Sequence, residues 1–289
     1  MIDVNTKKLG LIGYPLGHSI SPLLHNSAFK QMALNYVYLA FQIKPEELVQ
    51  GIKGIKALDI KGVNVTIPYK KKVMPFLKEI DDIAQKIGAV NTLVNKNGNF
   101  YGYNTDAYGF KKMLNQDGNF YIENKKALII GAGGASRAVG IVLCENDIDE
   151  LYIINRTEAK AKKLADEWKE KYAEVKITSG GLDKNFYNPF LKDMDLIVDT
   201  TSVGMEPKAD VDPVIVADKF HSNMLVVDLV YNPPETTILK AAQKRGAETI
   251  NGLNMLLYQA EKSFELWTGK SPDLENWFNL VKTEFLNEE

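Results

Sequence analysis

Residues 125–138 read KKALIIGAGGASRA. The apolar run Ala127-Leu128-Ile129-Ile130 reads as a buried strand. The glycines after it form a tight turn, and the small residues beyond begin a helix. Such a turn presents backbone N–H groups at a helix N-terminus, where a diphosphate can sit. Gly131, Ala132, Gly133, Gly134 and Ala135 are therefore candidate nucleotide contacts. The third glycine of a G-x-G-x-x-G fingerprint falls at Ser136, and a glycine turn also occurs for plain backbone reasons.

If a dinucleotide sits there, the end of the next strand meets its adenosine ribose. A carboxylate at that point accepts from the 2′-hydroxyl of NAD and repels a 2′-phosphate, and a guanidinium does the reverse. The strand LYIIN ends at Asn155, Arg156 and Thr157 follow, and Lys160 comes one turn later. No acid stands at the carboxylate position, so NADP is the expected cofactor, with NAD possible. Glu158 is the one charge out of keeping. Read as ordinary surface, the same residues are a solvated helix start with Thr157 as N-cap.

Three polar clusters precede the glycine turn, each at the end of an expected strand. Ser19 and Ser21 flank Ile20, so both hydroxyls can face one side of an extended loop beside a helix N-terminus, which suits a carboxylate. Equally, Ser21-Pro22 reads as an N-cap with proline at N1. Residues 64–70, NVTIPYK, end a strand at Val65 and set Lys70 just beyond it. Lys71 and Lys72 read as a solvated charge run. Residues 102–106, GYNTD, end in an amide, a hydroxyl and a carboxylate, and Asp106 is as good a helix cap as a catalytic group.

The elements that position these groups fall into two sets. In the first hundred or so residues, strands are expected at 8–12, 36–43, 60–65, 90–94 and 100–103, the last two flanking the hairpin signal Lys96-Asn97-Gly98-Asn99. Helices are expected after Ser21, from Pro45 to about Lys56, and as short pieces over 70–77 and 81–87. This is a mixed α/β unit. A helix over 104–115 connects it to a region where strands at 126–131, 151–155, 174–178, 195–200 and 225–230 alternate with helices. That alternation implies a Rossmann-type, doubly wound parallel sheet. Leu253, Leu256, Leu257, Ala260 and Phe264 mark one apolar helix face, and a last helix lies near 274–286. These helices have no strand to pair with and are expected to pack back on the first unit. The expected division is residues 1–106 with 253–289, and residues 107–252.

Bulk composition excludes several classes. The chain has 289 residues, 45% hydrophobic and 25% charged, with a net charge of −2, an ordinary globular balance with no footprint for nucleic acid or an anionic membrane. No apolar run suits a signal peptide or a membrane span. The single cysteine, Cys144, fits a reducing cytoplasm and reads as a buried, inert thiol. His18, His25 and His221 have no paired spacing, so no metal is expected. The expected partner is a small molecule, and the chain is a monomer or a homodimer.

Taken together, HSISP, NVTIPYK, GAVNT, GYNTD, GAGGASRA, NRT, TSVGM, VYNP and GLNMLLYQ occur in that order, and the sequence resembles the shikimate dehydrogenase family from about Leu9 to Gly269. The resemblance implies an N-terminal substrate domain, an NADP-binding domain, a cleft between them, and reversible reduction of 3-dehydroshikimate to shikimate in aromatic amino-acid biosynthesis. By motif, it implies that Ser19 and Ser21 hold the substrate carboxylate and that Thr66, Lys70, Asn91, Asp106 and Gln259 hold the ring hydroxyls. It sets Tyr231, Leu229 and Gly252 near the nicotinamide, Gly131 to Ala135 at the diphosphate, and Asn155 to Thr157 with Lys160 at the adenosine phosphate. The family often carries arginine where Lys160 stands.

Hydride transfer leaves alkoxide character on the substrate oxygen, which needs a proton donor, and the reverse reaction needs a base. Lys70 is the expected acid–base group, with Asp106 as its essential partner. Two alternatives compete: a quinate/shikimate dehydrogenase that accepts NAD, and a non-catalytic NADP-sensing protein. The presence of both Lys70 and Asp106 argues against the second.

Overall fold

The computed structural model describes residues 2–17 and 19–286; His18 of the HSISP motif lies outside them. In chain order the elements are β1 (Lys7–Gly13), α1 (Ser21–Gln31), β2 (Tyr36–Gln42), α2 (Leu48–Ala57), β3 (Gly62–Val65), β4 (Glu79–Ile80), α3 (Asp82–Ile87), β5 (Thr92–Lys96), β6 (Asn99–Tyr103) and α4 (Thr105–Gln116). There follow β7 (Lys126–Ile130), α5 (Gly134–Cys144), β8 (Glu150–Ile154), α6 (Glu158–Lys169), β9 (Lys176–Gly180), α7 (Lys184–Leu191), β10 (Leu196–Asp199) and β11 (Leu225–Asp228). The chain ends with α8 (Thr237–Gln243), β12 (Glu248–Asn251), α9 (Leu253–Thr268) and α10 (Leu274–Leu286). It divides into two compact units, Met1–Gly109 with Leu257–Glu289, and Phe110–Leu256, so the chain changes unit within α4 and again within α9.

The first unit is built on a mixed sheet in the order β2-β1-β3-β5-β6-β4. β1 runs parallel to both β2 and β3, and β5 runs antiparallel to β3 and β6. All four residues of β3 are buried. The pleat sends Val63 and Val65 into a core with Ile52 and Ile55 of α2, and turns Asn64 to the opposite face. There the register sets Asn64 beside Thr92 of β5. On that same face, Ser263 of α9 bonds both side chains. Further along α9, the Trp267 indole N–H donates to the Leu93 carbonyl at 2.9 Å, tying the helix to the sheet.

The second unit holds a parallel sheet in the order β12-β11-β10-β7-β8-β9. Renumbered from β7, this is the 3-2-1-4-5-6 winding, with the order reversing between β7 and β10. β7, β10 and β11 lie in the middle of the sheet and read as near-continuous apolar runs, as strands covered on both faces must.

Four local expectations need correction. Ser21 does not cap α1: the N-cap is Ile20, Ser21 is the first helical residue and Pro22 the second. Residues 70–77 form turns and a short 3-10 segment at Met74–Phe76 rather than a helix. Two short strands, β4 and β12, went unread. β12, ETIN, is an edge strand with a half-exposed surface and no apolar run to announce it. Among the described residues, no helix is long and apolar enough to cross a membrane.

Candidate active site

In the first unit, Lys70 follows the turn after β3, and Asp106 lies in the first turn of α4. Lys70 Nζ and Asp106 Oδ2 are 2.5 Å apart, and both side chains are partly exposed. The other carboxylate oxygen, Oδ1, accepts from Asn91 Nδ2 at 2.8 Å. The orientation of that amide is decided by a group that can only donate: the backbone N–H of Thr105 points at Asn91 Oδ1 at 2.8 Å. Asn91 must therefore turn its NH₂ toward Asp106, and Asp106 Oδ1 must accept. Asp106 thus accepts on both oxygens, from Asn91 on Oδ1 and from Lys70 on Oδ2.

Around this pair the expected substrate residues are distributed unevenly. Gln259 Oε1 accepts from Thr105 Oγ1 at 3.4 Å, which brings the α9 amide to the start of α4. Ser21 has no capping duty. Ser19 is exposed, with its Oγ accepting from the Ser21 N–H at 3.4 Å. Thr66 is half-buried, and its N–H closes onto the Ile12 carbonyl at 2.9 Å.

The glycine turn of the second unit lies at the β7–β10 switch point. Gly131 has φ +109°, and a Cβ there would lie 2.5 Å from Thr200 Oγ1, so only glycine fits. Gly133 and Gly134 differ: a Cβ on either meets nothing within 4 Å. Their small size is not demanded by protein neighbours, and it leaves the backbone open to a ligand. Ser136, in the third-glycine position, is fully buried; its Oγ accepts from the Gly133 N–H at 2.9 Å and bonds Thr200 Oγ1 at 2.7 Å. Of the five loop residues, Gly131 and Gly133 thus spend their N–H groups internally, on the Ile154 carbonyl and Ser136 Oγ. Gly134 and Ala135, in the first turn of α5, keep amides with no acceptor in the preceding turn. These residues fit the diphosphate of a dinucleotide.

At the end of β8, Asn155 Nδ2 donates to the Thr157 carbonyl at 2.8 Å and shapes the turn into α6. Arg156, Thr157 and Lys160 are exposed, and among the described residues neither cation is in an ion pair. Arg137, the cation closest to the glycine turn in sequence, is spoken for by Glu167, with two bonds of 2.6 and 3.1 Å. The discordant Glu158 carboxylate lies toward Gly181, where a Cβ would stand 3.6 Å from it. Arg156 and Lys160 thus present two exposed cations just after β8.

The remaining expected residues lie at the far side of the same sheet. Leu229 and Tyr231 follow β11, and Gly252 follows β12. Gly252 is pressed against the Leu229 carbonyl, which a Cβ would meet at 2.0 Å, and its N–H donates to the Val230 carbonyl at 3.0 Å. Burial pushes the Tyr231 phenol up. Cys144 is buried on α5, and burial pushes its thiol up to about 12, as expected of an inert side chain.

Reading the sequence missed the residues behind these groups. Tyr38, Asn64, Thr92, Thr105 and Ser263 hydrogen-bond one another under Asn91. Asn64, Thr92 and Thr105 lie inside the NVT, GAVNT and YNTD motifs, which is a signal of sorts. Ser263 had only its spacing, one turn after Gln259.

A parallel sheet of this winding, with an open glycine turn at its switch point and a lysine–carboxylate pair in the companion unit, belongs to the class of nicotinamide-dinucleotide oxidoreductases. Comparison with known proteins narrows the class. Residues 11–93 match the model of the shikimate dehydrogenase substrate binding domain, residues 114–239 that of shikimate / quinate 5-dehydrogenase, and residues 252–276 that of the shikimate 5'-dehydrogenase C-terminal domain. A shikimate dehydrogenase (NADP(+)) of Halothermothrix orenii is 54% identical over 274 residues, covering 95% of each chain. Of solved structures, a shikimate dehydrogenase in complex with NADP+ superposes with a TM-score of 0.90 at 45% identity, covering 98% of this chain and 97% of its own. The Listeria monocytogenes shikimate 5-dehydrogenase in complex with shikimate and NAD gives 0.91 at 33% identity, covering 97% and 98%. The chain belongs to the shikimate dehydrogenase family.

Proposed function

We propose that this chain catalyses the reversible, NADP-dependent reduction of 3-dehydroshikimate to shikimate, a step of aromatic amino-acid biosynthesis. The observation that carries the reading is the Lys70–Asp106 contact of 2.5 Å, with Asn91 locked on the second carboxylate oxygen. NADPH, when bound, supplies the hydride to the carbonyl carbon and NADP accepts it in the reverse direction. The chain's own work is to place the substrate and move one proton. In reduction, Lys70 Nζ gives its proton to the carbonyl oxygen as the hydride arrives, so that the C=O becomes a CH–OH; in oxidation the neutral amine takes it back. Asp106 aims the amine and accepts from a ring hydroxyl.

The unit of residues Met1–Gly109 with Leu257–Glu289 is read as the substrate domain. Ser19 and Ser21 take the carboxylate there, and Thr66, Asn91 and Gln259 take hydroxyls. In the second unit, Gly134 and Ala135 hold the diphosphate, Arg156 and Lys160 with Thr157 hold the adenosine 2′-phosphate, and Leu229, Tyr231 and Gly252 lie near the nicotinamide. A cytoplasmic location goes with the single, buried thiol. Quinate with NAD is the competing pair, and the free charge of Arg156 and Lys160 speaks against NAD. Nicotinamide absorbance, followed with shikimate or quinate and NADP or NAD, separates the combinations. Turnover fastest with shikimate and NADP is expected; no turnover with any of the four would end the enzyme reading.

A further inference from the structure

Asn91 does not hold its orientation alone. Its Oδ1 accepts from Thr92 Oγ1 at 3.0 Å as well as from the Thr105 N–H. Thr92 is fully buried and has one proton, so having given it to Asn91 it must accept from its other neighbours. Two stand ready: Ser263 Oγ at 2.8 Å and Asn64 Nδ2 at 3.1 Å. Asn64 Nδ2 also reaches Ser263 Oγ at 3.0 Å, and Asn64 Oδ1 accepts from the Tyr38 hydroxyl at 2.7 Å. The phenol has then used its proton. Tyr38 donates to Asn64, Asn64 to Thr92, Thr92 to Asn91 and Asn91 to Asp106, and Ser263 divides its one proton between Thr92 and the Gln259 carbonyl at 3.1 Å.

We infer that Thr92 and Ser263 are positioning residues for the acid–base pair. They hold the Asn91 amide with its NH₂ toward Asp106, and this keeps the carboxylate accepting on Oδ1 and aimed at Lys70 through Oδ2. Buried hydroxyls with a full set of partners are positioned more tightly than groups that water can replace. Thr92, Asn64 and Ser263 are 0%, 8% and 0% exposed, so no water competes for these bonds. Neither Thr92 nor Ser263 bonds Lys70 or Asp106 directly; both act through Asn91.

The inference rests on the dehydrogenase reading, and a test is chosen that separates the two. Thr92→Val keeps the shape and removes the hydroxyl; Thr92→Ser keeps the hydroxyl and removes the methyl. With shikimate and NADP, Thr92→Val is expected to lower kcat about tenfold, the loss of one buried hydrogen bond, with KM for shikimate changed about twofold or less. The acidic limb of its kcat–pH profile moves to higher pH, and Thr92→Ser restores both kcat and the limb. Exchange of the Asn91 side-chain NH₂ with water, read by NMR, is slow in the parent and in Thr92→Ser and faster in Thr92→Val. If Thr92→Val does not fold, Ser263→Ala is read in the same way, with the same direction expected. An unchanged pH profile and unchanged Asn91 exchange in the hydroxyl-free variant would overturn the positioning role, as would a Thr92→Ser variant no better than Thr92→Val. A parent enzyme without turnover would instead overturn the dehydrogenase reading, and the exchange measurement would still decide the relay.

Discussion

Asp199 and Asp228 stand side by side in register at the ends of the adjacent parallel strands β10 and β11, and both carboxylates are buried. Each is held by the chain that follows it. Asp199 accepts from the Thr201 N–H at 2.8 Å; Asp228 accepts from the Val230 N–H at 2.9 Å and from the Thr236 hydroxyl at 2.5 Å. The pair thus shapes the loops after both strands, including the one that carries Leu229 and Tyr231.

Burial, with the Asp199 charge beside it, pushes the Asp228 carboxyl up to about 7, and burial raises Asp199 too. A carboxyl raised in the folded state binds its proton more tightly there than in the unfolded chain. Its stabilisation is full below the ordinary value of 3.8 and is lost as pH rises through about 7. For a shift of this size the loss is on the order of 4 kcal/mol. Asp228→Asn keeps an acceptor and cannot ionise. Its melting temperature relative to the parent is expected to be clearly higher at about pH 8 than at about pH 5. An equal difference at the two pH values would show that Asp228 does not titrate in the folded protein.

The opposite limb belongs to His25. Its ring is fully buried on α1, stacked on Tyr38 at a centroid distance of 4.5 Å and edge-on to Trp277 at 5.5 Å, and neither ring nitrogen has a hydrogen-bond partner. Burial pushes it from 6.5 down to about 3. A depressed value means that the unfolded chain takes the proton first. The stability is therefore intact above 6.5 and drains as pH falls through about 3. The full difference is roughly 5 kcal/mol. His25→Phe, which keeps the stacking, is expected to lose less melting temperature than the parent between about pH 7 and about pH 4. Parallel losses in the two proteins would contradict this.

Arg156 is the residue proposed to choose the cofactor. Its charge is exposed and free of carboxylates, whereas Arg137 is held by Glu167. Loss of a charge-assisted bond to phosphate is worth a factor of about ten or more in KM. Arg156→Ala is expected to raise KM for NADP by that factor and to leave KM for NAD nearly unchanged. Equal increases for both would count against the 2′-phosphate contact.

The strands of the second unit were legible because a strand covered on both faces must be apolar along nearly its whole length, and β7, β10 and β11 are, save for one charged residue at an end of each. β12, half-exposed at the edge, carries no such constraint and went unread. The Asn97-Gly98 hairpin was legible because both residues adopt positive φ, 54° and 78°, which few other pairs tolerate. Ser21 was misplaced by one position, since Ser-Pro reads the same whether it caps a helix or begins it. Lys70 and Asp106 were legible as motif residues, but their contact was not: they approach across 36 residues of sequence. The relay behind them was hidden for the same reason. Asn64, Thr92 and Ser263 are ordinary polar residues until the sheet register and α9 bury them side by side.

Lys70 is proposed to move the proton, and Lys70→Ala removes the group that carries it. With NADP and shikimate at saturation, kcat is expected to fall by a factor of about 10² to 10⁴, the range for removal of a general acid–base group, while calorimetry still detects shikimate binding. An unchanged kcat would show that another group moves the proton.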